Sequence, residues 1–179
     1  MKVNKICSKV YTYYLRYFYK TIQFQDHVFI DYRCEIEQKN NISIGQKSIL
    51  YKYVTMYKNK EGSFIMGDSS HIAPYGYLLI ENQSLTIGNN VAIGPFCSIF
   101  CSSNAIPSKK NVLLIDSYVK NNIRIGNNVF IGSQCVILPS TVIEDNVVVA
   151  ANSTVKGRLY EGYLYGGNPA KKIRILNEK

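Results

Sequence analysis

Histidine is scarce in this 179-residue chain: only His27 and His71 are present, too few for a three-histidine zinc site, and no metal is expected. The five cysteines have no paired spacing, which argues against a disulfide framework. No cleavable signal is recognisable, so a reducing cytoplasmic setting is expected. No apolar run reaches membrane-spanning length. The formal charge of +9 accompanies no nucleic-acid motif, and the basic residues are scattered, so no nucleic-acid partner is expected. Glycine and proline are absent from residues 1–23, where Lys2, Lys5, Lys9, Arg16 and Lys20 alternate with Tyr11, Tyr13, Tyr14, Leu15, Tyr17, Phe18 and Tyr19. That stretch predicts a short helix. It has two readings: a cap protecting an exposed strand edge, or a basic aromatic surface in peripheral contact with the inner face of a membrane.

What is present is a period. Ile125, Ile131, Ile137, Ile143, Val149 and Val155 recur every six residues, and the first five open blocks whose fifth position is small or β-branched: Val129, Cys135, Thr141, Val147 and Ser153. An amphipathic helix repeats at 3.6 residues and a strand at two, so neither explains six. A chain that buries one aliphatic and one small residue per six-residue side, then turns, builds a coil of three short strands. The register returns at Ile87, Ile93 and Ile99, loosely at Met66, Ile72 and Leu78, and faintly at Ile44 and Leu50. Four or five coils are expected, stacked as parallel strands about 4.8 Å apart. Cys97 and Cys135 hold equivalent fifth positions and should stack inside the prism. Three segments follow: the helix at 1–24, the coils at 25–165 with an insertion at 105–122, and a basic tail at 166–179. The insertion reads as a solvated tip around Lys109 and Lys110 followed by a buried return through Val112, Leu113, Leu114 and Ile115.

The blocks from Ile87 to Arg174, ending in GGNPAKKIRIL, resemble the hexapeptide-repeat acyltransferases, nearest the galactoside, maltose and surface-polysaccharide O-acetyltransferase branch. The resemblance implies an all-β, left-handed parallel β-helix with a short N-terminal helix and an extended loop between coils, assembled as a homotrimer. It further implies acetyl-CoA as co-substrate, lying in the groove between neighbouring prisms, and a saccharide acceptor. Position by position, Gly132, Ser133, Ala150 and Ala151 would line the pantetheine arm, with free backbone amides and carbonyls meeting it. Lys156, Lys171, Lys172 and Arg174 would meet the phosphates. Phe130 stands where relatives often have tryptophan.

The expected reaction is transfer of acetyl to a sugar hydroxyl in surface-polysaccharide synthesis, which needs a base at the acceptor. Asn104 falls where relatives carry a histidine, and an amide does not titrate. His71 and Asp116 are the candidates to replace it. Glu81 and Asn82 fall where relatives have an acidic pair that hydrogen-bonds acceptor hydroxyls. N-acetylation of an amino sugar, which leans less on a base, and a non-catalytic trimeric scaffold remain alternatives. A zinc hydratase of the same fold would need more histidine than the chain has.

Overall fold

The computed structural model describes residues 2–19, 21–107 and 112–176. Lys20, Lys109, Lys110 and Lys179 lie outside the described residues. One helix, α1 (Lys2–Phe18), precedes a triangular prism of short strands. The first face stacks seven strands in parallel, from Ile22–Phe24 to Arg158–Leu159. The second stacks seven parallel strands and then an antiparallel one, and the third stacks six. Six complete coils and a two-sided seventh are therefore present, more than the four or five expected. The β-helix fold class read from the repeats is the one observed.

Inward-facing aliphatics form a continuous column along each face. On the second face, Ile30, Leu50, Ile72, Ile93, Ile131 and Val149 are in register and buried. Ile36, Met56, Leu78, Ile99, Ile137 and Val155 do the same on the third. Burial of such side chains stabilises by about 1.5–3 kcal/mol each, before the ordering cost is set against it. The fifth-position residues occupy the corners. Cys97 and Cys135 are buried there, donating to the carbonyls of Gly132 at 3.0 Å and Ala150 at 3.1 Å, one coil onward in each case. Ser153 Oγ donates to that same Ala150 oxygen at 2.7 Å.

The first coil, on residues 22–36, keeps the six-residue spacing at Phe24, Ile30 and Ile36, with Val28 and Cys34 buried at the fifth positions, but the residue after each is Gln25, Asp31 or Glu37 where later coils often have glycine, and the repeat was not read there. At its second corner a side chain reinforces the turn: Asp31 accepts from the backbone N–H of Arg33 at 3.0 Å and pairs with its guanidinium at 2.8 Å. In the next three coils the same corner holds Tyr53, Tyr75 and Phe96 at φ of 61°, 63° and 59°, a left-handed conformation costly for aromatics. Stacking offsets part of that cost, with ring centroids 5.0 Å and 4.9 Å apart.

α1 closes the N-terminal end of the prism. Leu15 is fully buried, and Thr12 Oγ1 accepts from the Ile30 N–H at 3.0 Å, so a side chain satisfies an edge donor that would otherwise face water.

Candidate functional site

The stack is interrupted once at length, after Phe100. Ser102–Asn104 pairs antiparallel with Tyr118–Lys120, forming the stem of a hairpin that leaves the third corner. Beyond the stem a 3-10 turn, Leu114–Asp116, places Asp116 in solvent. Asn104 ends the outgoing strand, exposed, and its Nδ2 donates to the Leu114 carbonyl at 3.3 Å. Glu81 belongs to the coil before. Its Oε2 accepts from Lys120 Nζ at 2.5 Å, clamping the hairpin base, while Asn82 is exposed in the adjoining turn. Glu81 and Asn104 thus meet opposite ends of one stem. The return through Val112, Leu113, Leu114 and Ile115 is exposed, against the burial expected of it. A prism presents only narrow corners, and no described part of the chain lies over this one.

His71 sits elsewhere, on the outward side of the second face. Its neighbours in register are Ile49 and Ala92, and Ala92 is in turn paired with Phe130. His71 and Phe130 therefore share one column, two strand spacings apart, roughly 10 Å. Val148, Leu164 and Arg174 continue it. The Tyr51 ring meets His71 edge-on at 5.8 Å, and burial holds the imidazole below its ordinary range, so it is neutral at neutral pH. Within one chain, His71 and the Asn104 hairpin lie on different sheets.

The small residues at the second corner have a packing reason. A Cβ on Gly132 would lie 2.5 Å from the Ala151 nitrogen, and one on Gly94 2.7 Å from the Ser133 nitrogen. Several backbone groups expected to be free are occupied: Gly132 N–H donates to Val149, Ala150 N–H to Tyr165, and both residues' carbonyls accept thiols. The next corner position differs. Its carbonyl is used, since Pro74, Pro95 and Ser133 accept from Phe96, Gln134 and Asn152. Its N–H is dispensable to the stack, because two coils place proline there. The N–H groups of Ser133 and Ala151 are left without an acceptor among the described residues.

The basic tail folds back as Lys171–Ile175 against Tyr163–Gly166, with Lys171, Lys172 and Arg174 exposed. Lys172 Nζ lies 3.8 Å over the Tyr163 ring. Lys156 is exposed at the third corner, just past Thr154–Val155, and so stands at the same end of the prism on another edge. One feature escaped sequence reasoning. Tyr57 and Phe100, in register with Leu79, and Tyr77, two residues before Leu79, form an outward aromatic patch on the third face, with ring centroids 5.7 Å and 5.8 Å apart, next to the hairpin. The rings hold different register positions, so no repeat position marks them in the sequence.

Among known proteins, the family model for the bacterial transferase hexapeptide (six repeats) matches residues 122–157. The chain is 26% identical over 160 residues to the protein provisionally named lipopolysaccharide biosynthesis O-acetyl transferase WbbJ of Escherichia coli (strain K12), a match covering 88% of this chain and 62% of that one. A provisionally named acetyltransferase of Saccharomyces cerevisiae is 30% identical over 118 residues, 66% of this chain and 59% of that one. The chain thus spans about three fifths of the length of these curated relatives. In fold it is similar to AntD, an N-acyltransferase from Bacillus cereus solved with dTDP-4-amino-4,6-dideoxyglucose and coenzyme A. That TM-score is 0.80 at 21% identity, covering 93% of this chain and 89% of that chain. A maltose O-acetyltransferase from Clostridium difficile gives a TM-score of 0.56 at 21% identity, covering 99% and 88%. The resemblance read from the repeats agrees with these matches: a hexapeptide model fits residues 122–157, and the similar proteins carry names of acetyltransferases or acyltransferases.

Proposed function

We propose that this hexapeptide-repeat protein moves an acetyl group from acetyl-CoA to a sugar hydroxyl, in the assembly of a surface polysaccharide. The likeness to WbbJ along 88% of the chain carries the reading. In it, three copies pack side by side, and the exposed apolar loop return of one lies over the next, removing that surface from water. The unused N–H groups of Ser133 and Ala151 face the pantetheine amides, beside Gly132 and Ala150. Phe130 contacts the arm. Lys156, Lys171, Lys172 and Arg174 hold the phosphates, where charge-assisted contacts are strongest.

At the other end of the arm the acceptor hydroxyl attacks the thioester carbonyl. Its proton passes to a base, and the CoA thiolate leaves and takes up a proton. His71 is the base this reading favours, since the neutral imidazole accepts at neutral pH and general-base help contributes about 10²–10⁴ in rate. It shares its face with Phe130, the residue assigned to the cofactor. Asp116, solvent-exposed on the loop, is the weaker choice. Asn104 orients by hydrogen bonding, and Glu81 and Asn82 meet acceptor hydroxyls. The amide at Asn104 also favours a second reading, N-acetylation of an amino sugar, because an unprotonated amine needs less base assistance.

Calorimetric titration with acetyl-CoA, wild type beside Lys156→Ala, is the first test. Micromolar binding that weakens in the variant supports the reading. CoA release with hydroxyl and amino sugars then separates O- from N-transfer, and His71→Asn should cost at least a hundredfold in kcat for a hydroxyl acceptor. No binding at millimolar acetyl-CoA would overturn transfer in favour of a non-catalytic scaffold.

A further inference from the structure

We infer that α1 is the docking surface of this protein for an anionic lipid bilayer. Around the helix, side chains fall into three rows. Ser8, Thr12 and Leu15 are buried against the first coil. Lys5, Lys9 and Arg16 form the next row, at spacings of one and three turns. Ile6, Val10, Tyr13 and Tyr17 form the third, following the i, i+4, i+7 spacing of a single face, and they are 62%, 64%, 62% and 69% exposed. Tyr13 and Tyr17 stack at 5.6 Å, and Tyr14 and Phe18 extend the apolar row.

A helix that served only as a cap needs the first row and a polar remainder. This one carries four large apolar side chains outward, no acidic residue along its length, and a basic row beside them. Aromatic side chains with a polar tip favour the headgroup region, and basic residues are drawn to an anionic surface. The helix is fixed to the prism: Arg16 Nη2 donates to the Gln25 carbonyl at 2.6 Å, and Ser8 and Thr12 bond the first coil. Docking would therefore orient the whole prism with its N-terminal end toward the lipid. Beside the basic row, a cleft of about 370 Å³ opens between Lys9, Tyr13 and Arg16 on one side and Asp26 and His27 on the other. One carboxylate against two fixed cations leaves it net positive. A second copy fits the surface less well, because apposing two such helices would bring two basic rows together without an acidic partner.

Co-sedimentation of the full chain with vesicles tests this, comparing phosphatidylcholine alone with phosphatidylcholine mixed with phosphatidylserine. Wild type should sediment with the mixed vesicles at low salt and be released by high salt. Lys5→Gln with Lys9→Gln should weaken partitioning by roughly twenty-five-fold, about fivefold per charge. Ile6→Asp, at an exposed site where the fold has nothing to lose, should abolish it with an unchanged melting temperature. Failure to sediment with anionic vesicles, or equal binding to neutral ones, overturns the inference. So does concentration-dependent self-association removed by Ile6→Asp, which would make a second copy the occupant.

Discussion

Gly94 illustrates how little room the corners leave. Its Cβ would meet backbone, the Ser133 nitrogen at 2.7 Å, and backbone in a stacked coil cannot swing aside as a side chain can. Gly94→Ala should lower unfolding free energy by about 1–3 kcal/mol, read from urea denaturation. A variant as stable as wild type would mean the coils are not in contact there. The thiols give a second test. Cys34 and Cys101 are pushed by burial to about 12, and Cys97 is held well above the usual thiol range by its Cys135 neighbour and by burial. Cys7 alone among the five is exposed. The Cys97 neighbour lowers the Cys135 thiol to about 7, so that thiol is protected by burial alone. With all four buried, a thiol reagent at neutral pH should modify one cysteine in the native protein and five in denaturant. Prompt native modification of a second thiol would rule out the buried placement. These thiols were readable as interior residues from their repeat position. The inward register of Ile72 already turns His71 outward by strand alternation, but nothing in MGDSSH says which groups it meets there.

Between the elements, the first corner is tied by a ladder of side-chain oxygens, each accepting the backbone N–H of the coil below. Asp68 accepts from Gln46, Asn89 from Asp68, Asn127 from Asn89 and Asp145 from Asn127, at 2.7–2.9 Å. The backbone N–H of Asn127, then its side-chain amide, holds the Asp145 carboxyl below its ordinary range. The folded-state value lies below the unfolded one, so this contribution is complete above about pH 4 and is lost as pH falls through the folded value. Asp145→Asn keeps an oxygen for Asn127 but removes the titration. Urea unfolding at neutral and at acid pH should show wild type losing more stability on acidification than the variant. Equal losses would assign the acid sensitivity to other groups. This ladder was visible in the sequence only as recurrent Asx residues after glycine. The elements it joins were legible wherever the corner is small, from Ile87 to Ile99 and from Ile125 to Val155. The first coil was not read although Phe24, Ile30 and Ile36 keep the spacing and Val28 and Cys34 fill its fifth positions, because Gln25, Asp31 and Glu37 stand where later coils often have glycine. A reading that leans on glycine as punctuation misses a corner reinforced by a hydrogen-bonded side chain.

For the whole molecule, the coils and the hairpin are separable by construction. Leu85, Thr86 and Ile87 pair directly with Ile123, Arg124 and Ile125, so the ladder runs past the insertion as though it were absent. In a solenoid each coil contacts only its neighbours, and stability is close to a sum of local terms. Asn104 and Tyr118 are already paired across the stem, which lets a two-residue Asn-Gly turn replace residues 105–117 without disturbing the hairpin base or the Lys120–Glu81 clamp. At dilutions where the copies are separate, such a protein should melt no lower than wild type, since within one chain the deleted segment buries none of Val112, Leu113, Leu114 or Ile115. Its acetyl-CoA affinity should persist, because the small corner and basic tail are intact. Transfer to the sugar should fall at least a hundredfold, and gel filtration should show whether the copies still associate without the loop lying across them. Full activity in the shortened chain would remove the loop, and Asp116 with it, from the site. A collapse in melting temperature would instead show that the hairpin supports the stack, which the unbroken pairing of the fourth and fifth coils argues against.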